Sequence, residues 1–333
     1  MENNKNYNDG FYYILSNYKD KWIYNNLIQI TSNENNKVLI VHSIGDLKVH
    51  NIKYYFLRDI IQDQKYLFTK DIFQSLNLNS NNKRIIPAKL SAGESYKDIY
   101  RPVLSQEKID LCRNSYLLEY MDLDYFDSPI FNTNKFISDF NQLQILIELI
   151  EKVFKYISPE QKNMETFGNE LRNIIILACT EVESLWKDTL LSNNYANKKL
   201  TTKDYVELLS ILKLNEYKIK FNFYPDIEEV SPFSNWNTKS TTQSLSWYSD
   251  YNAIKHNRLN EFSKATLKNA IESVSAVVIM LIAKYGYTNI YWKTKIENLI
   301  SITEIPDWGF EDYYIPPIWS KGGLKWKEIN FFK

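Results

Sequence analysis

The sequence predicts an α+β protein in three parts: a mixed region over residues 1–131, an all-α helical bundle over 132–287 and an irregular aromatic extension over 288–333. Short aromatic and β-branched runs between polar breaks fill the first part, and such runs are typical of strands. Long apolar stripes at helical spacing fill the second part. Proline, glycine and tryptophan punctuate the third part, which we expect to pack back over the body of the protein.

Length and charge narrow the class of protein. A chain of 333 residues exceeds the size of about 250–300 residues at which single cores stop growing, so more than one domain is expected. Lys+Arg and Asp+Glu both number 40, which gives a formal net charge of zero. This balance argues against a protein that coats nucleic acid by overall charge, although it allows a local basic groove. The two cysteines, Cys112 and Cys179, are too few for a disulfide framework or a zinc site.

The first residues carry no sign of a secretory signal. Residues 1–10 are polar and lack the apolar segment of a signal peptide. The most hydrophobic window, 274–283, is shorter than the roughly 20 apolar residues that a membrane span needs. We therefore expect a cytoplasmic protein with no membrane contact.

The mixed region is predicted to contain strands at 22–31, 37–42 and 47–56, followed by weaker helical patterns at 57–79 and 106–120. Polar and glycine-containing breaks separate the strands. Apart from a group of carboxylates near its end, this region carries no catalytic motif, and we expect a protein partner to bind through it.

Three carboxylates lie close together at Asp122, Asp124 and Asp127. Their spacing suits a divalent cation, and a metal-dependent nuclease or nucleotidyl enzyme is one alternative function. The glycine and the distal glutamate of a calcium loop are missing, so a solvated acidic turn is the preferred interpretation. His42 and His50 have no third ligand nearby. We predict neither a metal nor a cofactor.

The bundle is predicted as a series of helices over 135–157, from Pro159 to about Leu191, and over 203–212, 247–258 and 264–285. Ser263 is the predicted cap of the last helix, and Gly286 is its predicted end. The long connection at 213–245 is unusual inside a helical domain and indicates a functional or partly mobile segment.

The candidate catalytic residues are His256, Asn252, Lys255 and Arg258, on the predicted helix before the last one. Residues three and four apart share a helix face, which brings Asn252 next to Lys255 and His256. Histidine gives and takes protons near neutral pH, and lysine and arginine hold phosphate. These groups suffice for metal-independent RNA cleavage: His256 is the general acid/base, Asn252 orients it or contacts phosphate, and the two cations neutralise developing charge.

Two long antiparallel helices, a variable connection, a short helix with a polar motif and a final long helix resemble a HEPN domain (higher eukaryotes and prokaryotes nucleotide-binding) over about 132–287. The HEPN motif is an arginine, a polar residue that is often Asn, about three residues and a histidine. Asn252 and His256 match it, whereas Tyr251 stands where the family has arginine. The resemblance implies an RNA-directed effector of a bacterial defence or toxin system, of the abortive-infection kind, that acts as a homodimer.

A non-catalytic scaffold for protein interactions is the principal alternative. HEPN proteins that lack the full motif are often scaffolds, and Tyr251 is a departure from that motif. In this interpretation His256 caps or packs its helix, and Asp250, Lys255 and Arg258 form an ordinary solvated face.

Overall fold

The computed structural model describes residues 8–18, 21–33, 36–42, 66–67, 82–101, 133–197, 199–286, 296–312, 314–315 and 327–333. Helices and strands both contribute to it, which confirms the predicted α+β class. Its contacts divide the chain into unit 1 (Met1–Ser95, Pro102–Pro129, Trp308–Lys327) and unit 2 (Tyr96–Arg101, Ile130–Asp307, Glu328–Lys333). Residues 288–333, predicted as one extension, are therefore shared between the units. Among the described residues, no helix combines the length and the apolarity needed to cross a bilayer.

Unit 1 contains an antiparallel sheet with the strand order β4-β3-β2-β1-β5. The strands are β1 (Gly10–Tyr18), β2 (Lys21–Asn33), β3 (Asn36–His42), β4 (Tyr66–Leu67) and β5 (Lys83–Pro87). The predicted strands at 22–31 and 37–42 are confirmed as β2 and β3. The predicted strand at 47–56 and helix at 106–120 lie outside the described residues. A helix was predicted at 57–79, but the residues of this range that the structure describes, 66–67, form β4. The prediction is wrong for those residues.

Alternation of burial fixes the register of this sheet. Ile28 and Ile30 of β2 are fully buried, and Gln29 between them is half-buried. Strand β1 has a register shift between Ile14 and Leu15, and its residues from Tyr12 to Leu15 are all buried. Such a bulge re-aims side chains at the cost of local pairing.

Unit 2 is mainly helical. Its helices are α1 (Thr133–Phe154), α2 (Asn169–Ser192), α3 (Thr202–Tyr205), α4 (Glu207–Leu212), α5 (Ser246–His256), α6 (Arg258–Glu261), α7 (Leu267–Tyr285) and α8 (Ile296–Leu299). The remaining described strands of the chain are β6 (Glu94–Tyr96), β7 (Lys218–Phe221), β8 (Ile300–Glu304) and β9 (Lys327–Ile329), and β7 pairs with β8.

The helices predicted at 135–157, 247–258 and 264–285 are confirmed as α1, α5 and α7. The helix predicted from Pro159 to about Leu191 is confirmed as α2 from Asn169 onwards, and the residues before it include a 3-10 turn at Gln161–Asn163. The predicted helix at 203–212 is two short helices, α3 and α4, which are separated at Val206. Thr266 caps α7 by accepting a hydrogen bond from the Asn269 backbone at 3.2 Å. Ser263, the predicted cap, lies instead in the 3-10 turn Phe262–Lys264. Ile137 belongs to the predicted apolar stripe of α1, yet it is exposed.

Helix α7 is the centre of unit 2. Every residue from Ser273 to Tyr285 is buried, because α1, α2 and α5 all pack against it. A helix that is apolar all round must be surrounded by other elements. The apolar stripe in the sequence predicted the burial of only one face of this helix. Gly286 ends the helix with φ of 89°, a conformation that favours glycine.

Trp186 on α2 joins α5 and the long connection to the bundle. It is fully buried and lies 4.9–6.5 Å from five other rings. The rings belong to Tyr205, Phe233, Trp236, Trp247 and Tyr248. Two of them come from the connection at 213–245 and two from α5. The part of the connection around these rings is therefore a packed part of the core.

The Trp186→Ala variant should lose about 3–5 kcal/mol of unfolding free energy, since it removes the shared partner of five rings. Urea unfolding followed by tryptophan fluorescence measures the loss. Tyr156→Ala, at a side chain that is 81% exposed, is the control and should stay within about 0.5 kcal/mol of the wild type. An equal loss in both variants would contradict the role of Trp186.

A network of buried charges lies at the end of α7. Lys284 is fully buried, and its Nζ lies 2.7 Å from Oδ2 of Asp139 on α1. The Tyr285 hydroxyl donates to the same oxygen at 2.6 Å. An ammonium group in the interior is stable only when it is paired in this way. The ion pair therefore fixes the start of α1 against the end of α7.

The segment Tyr96–Arg101 is held within unit 2 by the same network. Oδ2 of Asp98 accepts hydrogen bonds from Lys135 Nζ at 2.9 Å and from Ser192 Oγ at 2.6 Å. The backbone of Asp98 is left-handed, with φ of 53°. Arg101 donates from Nη2 to the Ile211 carbonyl at 3.0 Å. Side chains from α1 and α2 therefore hold this short segment in a conformation that it would not adopt alone.

The Asp98→Asn variant should be less stable than the wild type by about 1–3 kcal/mol at neutral pH, because Lys135 loses its nearer charged partner and retains Asp188 at 3.5 Å. Burial raises the pKa of the Asp98 carboxyl, but the charge of Lys284 and the hydrogen bond from Ser192 help to lower it below its ordinary value. The ionised form thus stabilises the fold above the ordinary pKa of about 3.9, and this stabilisation is lost as the pH falls through the lower folded value.

Urea unfolding of both proteins between about pH 7 and pH 3 tests this expectation. The difference between them should shrink as Asp98 becomes protonated. Asparagine tolerates the left-handed backbone, so the substitution changes the charge and leaves the conformation accessible. A difference that stays constant down to the lowest pH would contradict the ionic role of Asp98.

Candidate functional site

Burial along α5 separates an inward face from an outward end. The inward residues recur at helical spacing, and they are Trp247, Tyr248, Tyr251 and Ile254. The last two residues of the helix, Lys255 and His256, are exposed, and Asn252 is half-buried. Packing against α2 and α7 fixes the inward face, so the exposed end has a defined position.

Tyr251 positions the ammonium group of Lys255. The Lys255 Nζ donates to the Tyr251 hydroxyl at 2.9 Å and lies 5.0 Å from the centre of its ring. Tyr251 itself is fully buried. The hydrogen bond to Tyr251 raises the pKa of Lys255, against the opposing effect of burial. Tyr251, which stands where the predicted motif has arginine, is therefore buried, and its hydroxyl positions the cation of Lys255 one helical turn later.

Asn252 is partly committed to its own helix. Its Nδ2 donates to the Tyr248 carbonyl one turn earlier, at 3.0 Å. The amide has a second hydrogen and an acceptor oxygen in addition to this bond. Its predicted contact with phosphate or with His256 must therefore come from the second amide hydrogen or from the amide oxygen.

Glu183 on α2 forms a hydrogen bond with the inward face of α5. The Tyr248 hydroxyl donates to its Oε1 at 2.6 Å. Burial and this bond raise the pKa of Tyr248, which remains a neutral donor. Sequence reasoning missed Glu183 because it lies 65 positions away and no local spacing connects it to the motif. Cys179, one turn before Glu183, is fully buried, and burial raises the pKa of its thiol well above the ordinary value.

His256 and Arg258 are exposed on either side of Asn257, the residue that separates α5 from α6. Within the described part of the chain, neither side chain makes a hydrogen bond or an ion pair. Lys255, His256 and Arg258 thus place three nitrogen-bearing side chains at one helix junction. An exposed imidazole can take a proton from a hydroxyl group of a bound ligand, and exposed cations can hold a phosphate group.

The acidic residues near this junction are already paired. Lys264 lies 2.9 Å from Glu261 and 3.5 Å from Asp250. Asn269 on α7 also donates to Asp250, at 3.0 Å. One ammonium group is thus shared by two carboxylates, which are therefore partly neutralised.

Other candidate residues from the sequence are not brought to this site. Asp122, Asp124 and Asp127 lie outside the described residues, as do Cys112 and His50. His42 lies in β3 of unit 1. Where the chain is described, no three His, Cys, Asp or Glu side chains form a group suited to a metal ion.

Comparisons of this chain with protein-family models, with curated proteins and with solved structures found no match. Function is therefore inferred from the residues of the site alone.

The Tyr251→Phe variant should lower the pKa of Lys255 towards its ordinary value of about 10.4, because it removes the hydrogen bond that raises it. NMR titration of the lysine side-chain signals measures this change. Tyr248→Phe is the matched control: it removes the bond to Glu183 and leaves the Lys255 bond intact. An unchanged Lys255 titration in Tyr251→Phe would show that the phenol does not position the ammonium group.

Proposed function

We propose that this chain is a HEPN-like, RNA-directed effector of a bacterial defence or toxin system that cleaves RNA without a metal ion. The observation that supports the proposal is the exposed imidazole of His256 between two exposed cations, Lys255 and Arg258. A helix anchored on its other face holds these groups. Exposed cations near a group that exchanges protons suit a phosphodiester substrate.

The proposed reaction is transfer of the phosphate to the neighbouring ribose hydroxyl. His256 takes the 2′-hydroxyl proton, and the 2′-oxygen bonds to phosphorus while the bond to the 5′-oxygen breaks. The products are a 2′,3′-cyclic phosphate and a 5′-hydroxyl, whose proton comes from an imidazolium. Lys255 and Arg258 stabilise the extra charge on the phosphate oxygens in the transition state. In the predicted homodimer, the second His256 supplies the imidazolium.

Lys255 replaces the arginine of the HEPN motif in this proposal. An ammonium group has three donors, and the bond to Tyr251 uses one of them. The remaining donors are available for phosphate oxygens. A lysine gives a point charge where arginine gives a two-pronged contact, so we expect Arg258 to share the binding of phosphate.

The His256→Ala variant should lose about 10²- to 10⁴-fold of the RNA cleavage rate, the usual contribution of a general acid/base. Cleavage of a labelled single-stranded RNA with a metal chelator present is the measurement. Lys239→Ala, at an exposed cation outside this junction, is the matched control and should cleave at the wild-type rate.

Wild-type cleavage that is unaffected by His256→Ala would contradict the catalytic assignment. Cleavage that stops when the chelator is added would point instead to metal-dependent chemistry, for which Asp122, Asp124 and Asp127 are the sequence candidates.

A non-catalytic scaffold is the second candidate function. The burial of Tyr251 at the arginine position favours it, since this side chain cannot touch a phosphate. The two candidates differ in one measurement: a scaffold should show no cleavage in the wild type, with or without divalent cations.

A further inference from the structure

One arginine of unit 2 has no partner for its charge. Arg172 lies on α2 and is half-buried. Its Nε is closed off from solvent and has no hydrogen-bond partner, whereas neither of its Nη atoms is closed off in this way. Within the described part of the chain, its guanidinium group makes no hydrogen bond and no ion pair. Arginine is rarely buried unless it is paired, so this side chain requires an explanation.

Arg172 lies on the face of α2 that holds α5. Helix residues seven and eleven positions apart differ in direction by only about 20°, so Arg172, Cys179 and Glu183 share one face. Glu183 accepts the hydrogen bond from Tyr248 of α5 at 2.6 Å. Lys255 of α5 interacts electrostatically with both Glu183 and Cys179. The side chain of Arg172 is therefore directed to the side of α2 on which α5 lies.

Two contacts show that the chain after α5 follows α2 back to its start. Near the middle of α2, Glu183 is bonded to Tyr248. Just before the start of α2, the Gly168 backbone donates to the Ala265 carbonyl at 3.3 Å. The chain from Tyr248 to Ala265 thus runs along α2 in the opposite direction, and the end of α5 lies between the two contacts.

The level of Arg172 along α2 is close to that of His256. Arg172 is eleven residues from Glu183, or about 16.5 Å along the helix, and His256 is eight residues from Tyr248, or about 12 Å. Since Glu183 and Tyr248 are in contact, the two levels differ by about 4.5 Å. The guanidinium group is therefore a neighbour of the proposed catalytic junction.

The two side chains lean in opposite directions. A helical side chain leans towards the N-terminus of its own helix, and α2 and α5 are antiparallel. Arg172 and His256 therefore diverge from their two levels. This arrangement suits two successive phosphates of one strand better than a single phosphate held by both groups.

We propose that Arg172 binds the phosphate next to the scissile bond, so that the preferred substrate has at least two phosphodiester linkages. This inference rests on the function proposed above. The two Nη atoms of the guanidinium group donate to two oxygens of that phosphate. Because the group is half-buried, water screens this contact less than it would screen a contact at a fully exposed lysine. A dinucleotide with one linkage has no second phosphate for Arg172.

Cleavage of two substrates by the full chain tests this inference. The dinucleotide UpU has one linkage, and an oligouridine of about six nucleotides has several. The wild type should cleave the oligouridine with the higher kcat/KM. Arg172→Met removes the charge and retains an unbranched side chain. It should lose about 10- to 100-fold of kcat/KM on the oligouridine, the loss expected for a charge-assisted contact, and should match the wild type on UpU.

A binding measurement makes the test independent of cleavage. A fluorescein-labelled 2′-O-methyl oligouridine has no free 2′-hydroxyl and cannot be cleaved, and its binding is followed by fluorescence anisotropy. Arg172→Met should weaken this binding by about 10- to 100-fold. It should also reduce the slope of log affinity against log salt concentration by about 0.7, the contribution of one phosphate contact on a single strand.

Two further variants serve as controls. Lys187→Ala removes an exposed cation elsewhere on α2 and should match the wild type in both assays. Arg172→Lys retains the charge and loses the two-pronged geometry, so it should show a smaller loss on the oligouridine and none on UpU. This variant keeps the test decisive if Arg172→Met does not fold.

An unchanged kcat/KM of Arg172→Met on the oligouridine would overturn the role of Arg172 and leave the proposed function standing. Equal losses on both substrates, or weaker binding with an unchanged salt slope, would also overturn it, because a purely structural role predicts those results. Binding that depends on Arg172 in a protein that cleaves no RNA would support the phosphate site and contradict the proposed cleavage. A wild type that neither binds nor cleaves these substrates would overturn both.

Discussion

The burial of Trp186 among five rings is the interaction on which the candidate site depends. Two of those rings, Trp247 and Tyr248, belong to α5, and two others come from the connection before it. The large apolar area of these rings fixes α5 in both position and rotation. Because the first turn of α5 is fixed, the exposed side chains at its last turn have a defined direction. On a loosely held helix, an exposed imidazole would have no defined direction.

The polar contacts beneath α5 add to this constraint. Glu183 accepts a hydrogen bond from the Tyr248 hydroxyl, and the Tyr251 hydroxyl accepts one from the Lys255 ammonium group. Both inward phenols therefore have a hydrogen-bond partner. Buried hydroxyls without partners would cost free energy, and each bond also restricts a side chain. The cation at Lys255 is consequently preorganised. In the proposed reaction, preorganised charge costs no reorganisation when the phosphate becomes more negative.

The sequence allowed prediction of those parts of the fold that depend on local periodicity. The stripe on α2 from Leu171 to Leu190 is buried as predicted, since its contacts repeat at helical spacing. The total burial of α7 was not predicted, because the apolar stripe of a helix does not show how many neighbours surround it. Ser263 and Thr266 are equally good caps by type, and only the 3-10 turn decides between them.

The candidate site was predictable to the same extent. His256, Lys255 and Arg258 are neighbours in sequence, so their common exposure at one helix junction follows from the chain itself. Glu183 reaches this region through packing of a distant element, and no spacing rule connects it to the motif. Asp98 owes its position to Lys135 and Ser192, which lie 37 and 94 positions away in sequence.

The segment Tyr96–Arg101 has a consequence for how the chain is made. The residues on both sides of it belong to unit 1, while the segment itself belongs to unit 2. Unit 1 also needs Trp308–Lys327, and unit 2 needs Glu328–Lys333. Domains commonly fold one after another as they leave the ribosome. Here unit 1 has all its residues only once Lys327 has been made, and unit 2 only once Lys333 has been made, so neither unit can finish folding long before the other.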